Sequence, residues 1–357
     1  MTQRERQILQ LIEANPMISQ QEIADALGLA RSSVAVHISN LMKKGCIAGK
    51  GYVLRSGTYA VVVGGVNMDI GGRALEPLVS ADSNPGQVRM SLGGVGRNIA
   101  HNMRLLGLDV RLLTAYGDDL AGERVAASCS ELGIDLSSAL RLHGGITSTY
   151  LYIASPEGEM ALAVSDMGIC ENITPAYLAA NQTVLRSAQL VVADTNIPAE
   201  SLRYLADNCS CPLFIDPVST AKAEKLRPIL GKIHTLKPNR LEAELLSGVK
   251  IRCREDVEKA AEALTAMGVH RMFISLGADG VYARMGGEKL WLPNIPGEMV
   301  NTTGCGDAFM AGLAWAYLEG TDLRGSARAG LAAASIAMES PQTINEAMSA
   351  QLLQTRL

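Results

Sequence analysis

Apolar and polar positions follow two textures along this chain. From Arg4 to Ala14 the apolar residues Ile8, Leu9, Leu11 and Ile12 gather on one side of a helical period, which predicts an amphipathic helix. In "NPMISQQEIADALGLARSSVAVHISNLMKKG" the period returns twice. Ser19, with Glu22 three residues on, forms a capping box for a helix that carries Ile23, Ala24 and Leu27 and stops at Gly28. A third helix runs from Arg31 to Lys43 with Val34, Ile38 and Leu41 on one face, and "KKGCIAGKGYVL" reads as a β-hairpin. After Ser56-Gly57-Thr58, read as a linker, continuous apolar runs take over: "YAVVVGGVNMDI", "VRLLTAY", "LVVADTN", "PLFIDPV", "IHTLKPN" and "RMFISLGADG".

Helical patterns at Arg97–Leu106, Glu123–Leu132, Ser201–Asn208, Arg240–Ser247 and Asp256–Met267 alternate with those runs. The alternation predicts an α/β domain whose parallel sheet is covered on both faces, over residues 58–357. Two segments differ, near 70–92 and 147–170; the second alternates and turns at Pro156-Glu157-Gly158. A hairpin projecting from an α/β body serves as a lid or as a clasp between two copies, and a homodimer is the expected assembly.

Charge divides along the same boundary. Residues 1–57 carry a net +3 and the remaining 300 carry −7, within a total of −4. A basic head on an acidic body implies two tasks. No apolar run is long enough to span a membrane, the N-terminus lacks signal-peptide texture, and seven scattered cysteines predict reduced thiols in a cytoplasmic protein.

Helix, short turn, helix and basic hairpin resemble the winged helix-turn-helix of small bacterial regulators. The resemblance implies DNA as a partner of residues 1–57, with Arg31, Ser32, Ser33 and His37 facing the major groove and Lys43, Lys44 and Lys50 on phosphates. The alternative is a docking or dimerising domain that kept the shape and lost the DNA.

In "NTTGCGDAFMAG", Gly304, Cys305 and Gly306 are small enough for successive N–H groups to converge on an anion, where a helix begins near Asp307. Beside such an anion hole a carboxylate suits the removal of a proton from a hydroxyl that attacks a phosphoryl group. The plainer alternative is a glycine turn with Asp307 as an N-cap. "GGVGRNIA" is another glycine turn opening a helix, but it fails the dinucleotide spacing, and no P-loop is present.

Together "GGVNMDI", "GGVGRNIA", "KPNRLEAE", "SLGADGVY" and "NTTGCGDAFMAG" resemble the ribokinase-like (PfkB) family of sugar and nucleoside kinases, from Thr58 to the C-terminus. "ADSNPG", "GGVGRNIA", "DPVS" and "IHTLKPNRLEAE" look like its pseudouridine-phosphorylating subgroup. The resemblance implies a ribokinase-like parallel-sheet sandwich with a small β lid. It also implies ATP-dependent phosphorylation of a nucleoside 5′-hydroxyl, with Mg²⁺ on the phosphates.

By that resemblance Asp307 is the general base and Gly304, Cys305 and Gly306 the anion hole. Asn67 and Asp69 bind ribose hydroxyls, Gly94 and Asn98 close over the sugar, and Asp166 contacts the base. Asn239 lies near the triphosphate, Glu242 orders Mg²⁺ through water, and Ser275, Gly277 and Gly280 line the nucleotide cleft. Asn301 stands where many relatives carry an aspartate associated with a monovalent cation, which argues against potassium activation, although backbone carbonyls remain. Cys305 replaces the usual alanine at a helix N-terminus that lowers a thiol pKa, which predicts sensitivity to oxidation. Alternatives are another nucleoside or a pentose as substrate, or a transcription regulator that uses the kinase fold as a ligand sensor. Asp307, Asn239 and Glu242 together favour the enzyme.

Overall fold

The computed structural model describes residues 1–47 and 59–357. The chain divides into two compact units, one up to Thr58 and one from Tyr59. Lys50, the hairpin tip and the linker lie outside the described residues.

In the first unit, α1 (Gln3–Ala14), α2 (Gln20–Leu27) and α3 (Arg31–Lys43) enclose a small core of Ile8, Ile12, Ile23, Val34, Ile38 and Leu41. Capping boxes open α1 (Thr2 with Glu5) and α2 (Ser19 with Glu22), and Gly28 closes α2 in the left-handed region at φ 62°. One expectation is corrected here. Lys44 is not a spare phosphate contact, because its Nζ lies 2.8 Å from Oε2 of the buried Glu5. Glu5 sits inside because it also receives the Thr2 N–H, and Lys44 compensates its charge.

In the second unit the chain first runs β1 (Tyr59–Val63), β2 (Asn67–Ala74), β3 (Gly86–Gly93), α4 (Val95–Leu105), β4 (Asp109–Leu113) and β5 (Ala115–Gly117). There follow α5 (Leu120–Glu131), β6 (Leu140–Leu142), β7 (Thr149–Ala154), β8 (Met160–Asp166), α6 (Pro175–Ala180) and α7 (Gln182–Ser187). Next come β9 (Val191–Asp194), α8 (Ala199–Asn208), β10 (Leu213–Asp216), α9 (Thr220–Ala223), β11 (Thr235–Leu236), α10 (Arg240–Ser247) and α11 (Arg254–Ala266). The chain ends with β12 (Arg271–Ser275), β13 (Val281–Met285), β14 (Glu288–Leu292), α12 (Cys305–Leu318), α13 (Leu323–Ala337) and α14 (Ala350–Thr355).

The large sheet has the order β14-β13-β12-β11-β10-β9-β1-β4. Strands β4 to β12 in that order are parallel, and separate hydrophobic clusters cover the two faces, with Val62 in one and Val61 and Val63 in the other. The expected parallel sheet is present, and two antiparallel strands extend it at one edge. There β13 and β14 pair antiparallel through the short Gly286-Gly287 turn, a connection too short for a crossover. Residues Ala308 to Ala316 of α12 are buried all round, against α13 and α4.

The two segments of different texture meet as a separate four-stranded sheet, β3-β2-β7-β8. Register sorts its side chains by face. One face carries the row Ser91–Asp69–Tyr150–Ser165, and the other carries Met90–Ile70–Leu151–Val164 and Val88–Gly72–Ile153–Leu162. On the second face Val88, Met90, Leu151, Leu162 and Val164 are exposed. Among the described residues no helix is long and apolar enough to cross a membrane.

Candidate active site

The functional candidates collect beyond the carboxyl ends of the parallel strands, the usual ligand position in such sheets. Helix α4 begins at Gly94, with φ 97°, where a Cβ would lie 2.5 Å from the Gly65 carbonyl oxygen. A Cβ on Gly96 would lie 2.8 Å from the Gly64 carbonyl carbon. Both glycines therefore serve close packing of α4 on the turn after β1, and that packing carries Asn98 inward. Nδ2 of Asn98 donates to Oδ2 of Asp307 at 2.9 Å, while the buried Oδ1 of Asn98 has no protein partner. An unpaired buried acceptor beside a candidate base suits a ligand hydroxyl.

Asn67 and Asp69 share one face of β2, and Asn67 Nδ2 donates to Asp69 Oδ1 at 2.6 Å. Burial pushes the Asp69 carboxyl up, opposed by Asn67 and by the charge of Arg97. A Cβ on Gly93 would lie 2.2 Å from Asp69 Oδ2, so the carboxylate occupies room that only glycine leaves. Gly93 is the first glycine of "GGVGRNIA". Asp166 is corrected. Its row is Thr149 and Met68, on the face opposite Asp69, and its carboxylate accepts the Gly168 N–H at 3.3 Å. The residue beside Asp69 on β7 is Tyr150.

At the start of α12, Gly304 is left-handed at φ 84°, and a Cβ there would lie 2.2 Å from the Thr343 carbonyl oxygen. The Cys305 N–H closes a turn onto Thr302 O at 3.3 Å, so the outward donors of the anion hole belong to the residues after it. The expected low thiol pKa is also corrected: burial, then the neighbouring Asp307 charge, push the Cys305 thiol up. Asn301 is occupied within its loop, where its amide donates to Pro341 O at 3.3 Å and its oxygen accepts the Thr303 N–H at 3.0 Å.

Burial pushes the Asp307 carboxyl up to about 8, with the negative charge of Asp216 next in effect. The Asn98 hydrogen bond and the Lys237 charge oppose the rise, and Asp194 adds to it. Asp194, Asp216 and Lys237 are charged residues that motif reading left unassigned. Asp194 and Asp216 are ladder partners at the ends of β9 and β10, and Lys237 follows β11 with Nζ 3.1 Å from Asp216 Oδ2. All three are buried, and burial brings Asp194 up to about 6. The available signal was a polar residue immediately after each apolar strand, in "VVADTN", "FIDPV" and "TLKPN".

On the other side of α12's N-terminus, Asn239 and Glu242 form a capping box: Asn239 Oδ1 accepts the Glu242 N–H at 2.9 Å and Glu242 Oε2 accepts the Asn239 N–H at 2.8 Å. Glu242 is buried, and burial raises its pKa. A cavity of about 370 Å³ is lined by Asn239, Arg240, Ser275, Leu276, Gly277 and Asp279. Gly280 follows Asp279 of that lining and precedes β13. A Cβ there would lie 2.1 Å from Leu292 O, so this glycine permits the approach of β14. No three acidic, histidine or cysteine side chains among the described residues form a metal cage.

In the first unit Arg31, Ser32 and Ser33 are exposed at the start of α3, which has no side-chain cap. Lys43 is exposed, and the half-buried His37 keeps Nδ1 without a partner.

A sheet with these carboxylates at its strand ends, a glycine-opened helix carrying the central one and a β lid define a phosphoryl-transfer fold. The chain belongs to the pfkB family of carbohydrate kinases, whose model matches residues 57–350, and residues 1–48 match a winged helix-turn-helix DNA-binding model. It is a sugar or nucleoside kinase. It is 44% identical to the uncharacterised sugar kinase YeiI of Escherichia coli K12, covering 98% of this chain and 97% of that one. It is 42% identical to the pseudouridine kinase of the same organism, covering 83% and 95%. Among solved structures it resembles a carbohydrate kinase from Agrobacterium tumefaciens (29% identity, 84% and 96% covered, TM-score 0.73).

Proposed function

We propose that this protein transfers the γ-phosphoryl group of ATP to the 5′-hydroxyl of a nucleoside, pseudouridine first. The observation that carries the reading is the Asn98–Asp307 contact, which ties the glycine turn near Asn67 and Asp69 to the candidate base at the start of α12. Similarity to a pseudouridine kinase supports the acceptor. The Asp69 carboxylate accepts from the hydroxyls of the ribose diol beside Asn67, and Asp69 stays fixed over Gly93. Asp307 takes the proton of O5′, O5′ forms a bond to the γ-phosphorus, and the bond from that phosphorus to the β-bridging oxygen breaks, releasing ADP. N–H groups after Gly304 receive the phosphoryl oxygens. Asn239, Ser275 and Gly277 face the nucleotide, and Glu242 would hold water on Mg²⁺, whose charge offsets that of the phosphates.

The reading includes a cytoplasmic homodimer joined through the uncovered apolar face of the lid. Residues 1–57 are read as DNA-binding, with Arg31, Ser32, Ser33 and Lys43 toward the duplex. A second reading, a ligand-sensing regulator, draws on that same helix-turn-helix.

ADP release is measured with ATP and Mg²⁺ against pseudouridine, uridine, inosine and ribose in parallel. Preference for pseudouridine is expected. Preference for another acceptor overturns the substrate and keeps the kinase. Binding without turnover of any of them favours the sensor.

A further inference from the structure

Lys237 and Asp216 form a buried ion pair whose place the strands dictate. Asp216 ends β10, Lys237 follows β11, and the two strands pair in parallel. Both side chains are only 7% exposed. Burying two charges costs desolvation that their attraction often fails to offset, so such a pair is poorly explained as a stabilising device. Its surroundings point elsewhere. Lys237 Nζ lies 3.5 Å from the point where a Cβ on Gly306 would stand, at the wall of the anion hole and one residue from Asp307. Asp216 is fixed from both sides: Oδ2 faces Lys237, and Oδ1 accepts the Val218 N–H at 2.9 Å. Val218 is held at φ 62°, a strained conformation for a β-branched residue, so the turn places Asp216 at an energetic cost.

We infer that Asp216 and Lys237 are positioning residues that act on the reaction through Asp307: the Lys237 ammonium favours the ionised carboxylate that accepts the substrate's proton, and Asp216 restrains that effect. The charged and hydrogen-bonding groups around Asp307 are Asp194 from β9, Asp216 from β10, Lys237 after β11, Asn98 from α4 and the Cys305 thiol on its own helix, while Glu242 from α10 bears on Lys237. Lys237 is the single cation in that set. Burial works against its charge, but Asp216, Glu242 and Asp307 outweigh burial and hold it protonated. The inference rests on Asp307 being the base.

The two partners of one ion pair then have opposite effects, which a structural role does not produce. The test is the pH profile of kcat/KM for pseudouridine, or for whichever of uridine, inosine and ribose turns over, at saturating ATP and Mg²⁺. Lys237→Met removes a positive neighbour, so the acid limb moves up by about one pH unit or more. Asp216→Asn removes a negative neighbour and keeps Oδ1 for Val218, so the limb moves down. Lys237→Arg keeps the charge and leaves the limb near its original position, which guards against misfolding of the Met variant. Shifts of the same sign, or no shift in either variant, overturn the inference. Asp307→Asn is run alongside: retained turnover there overturns the base assignment itself, whatever the other variants do.

Discussion

Asn98 on α4 donates to Asp307 on α12 across 2.9 Å, joining two helices that both begin at left-handed or positive-φ glycines. The amide fixes one carboxylate oxygen and leaves the other for a substrate proton. Asn98→Ala removes a hydrogen bond that favours the charged form, so the Asp307 pKa rises further. The expected outcome is a lower rate at neutral pH with recovery at alkaline pH, read from kcat/KM profiles.

Asp307→Asn is expected to lower kcat by about 10²–10⁴-fold, the usual contribution of a positioned base. Nucleoside affinity, measured by calorimetry, is expected to stay near its original value, because the ribose contacts proposed for Asn67 and Asp69 remain.

The unmodified protein carries its own pH signature. With the Asp307 carboxyl pushed up to about 8, the base is mostly protonated at pH 7 and ionises as pH rises through that value. Activity therefore climbs from neutral to mildly alkaline pH, and a profile flat between pH 6 and 9 contradicts this assignment.

Glu242 caps α10, and one substitution separates that cap from the Mg²⁺ role proposed for it. Gln at this position preserves the capping box with Asn239, so Tm holds, while loss of the charge raises the Mg²⁺ concentration needed for half-maximal rate. Glu242→Ala loses both, with about 1 kcal/mol of stability from the cap. Thermal melts and Mg²⁺ titrations of the pair measure the separation.

In the first unit Lys43 and Lys44 are expected to differ despite adjacency. Lys43→Met lowers the salt slope of DNA binding by about one, as loss of one phosphate contact does. Lys44→Met strips the buried Glu5 of its partner and lowers Tm instead. Fluorescence anisotropy at several salt concentrations, paired with melts, distinguishes them.

The periodic parts of this chain were legible from sequence. The helix at Arg240–Ser247 and the capping box at Ser19 stand where local pattern puts them, because helix period and cap chemistry are encoded within a few residues. What escaped depends on residues far apart in sequence. Lys44 finds Glu5 across 39 positions, and Asn98 finds Asp307 across 209. Asp166 was misplaced because alternation along β8 tells which residues share a face, while only pairing with β7 tells which face meets Asp69. Asp216 and Lys237 went unassigned because each is a single polar residue after an apolar strand, ordinary alone and informative once β10 and β11 are neighbours.

The lid sheet spends both faces of the same strands, with Asp69 and Tyr150 on one and Met90, Leu151 and Val164 on the other. Its tolerance of length change is therefore uneven. One residue inserted just before Thr149 would bring Thr149 in place of Tyr150 beside Asp69 and turn the aromatic toward the uncovered side. Two inserted residues would restore the parity, so substrate recognition and surface character in this sheet can only drift together or in steps of two.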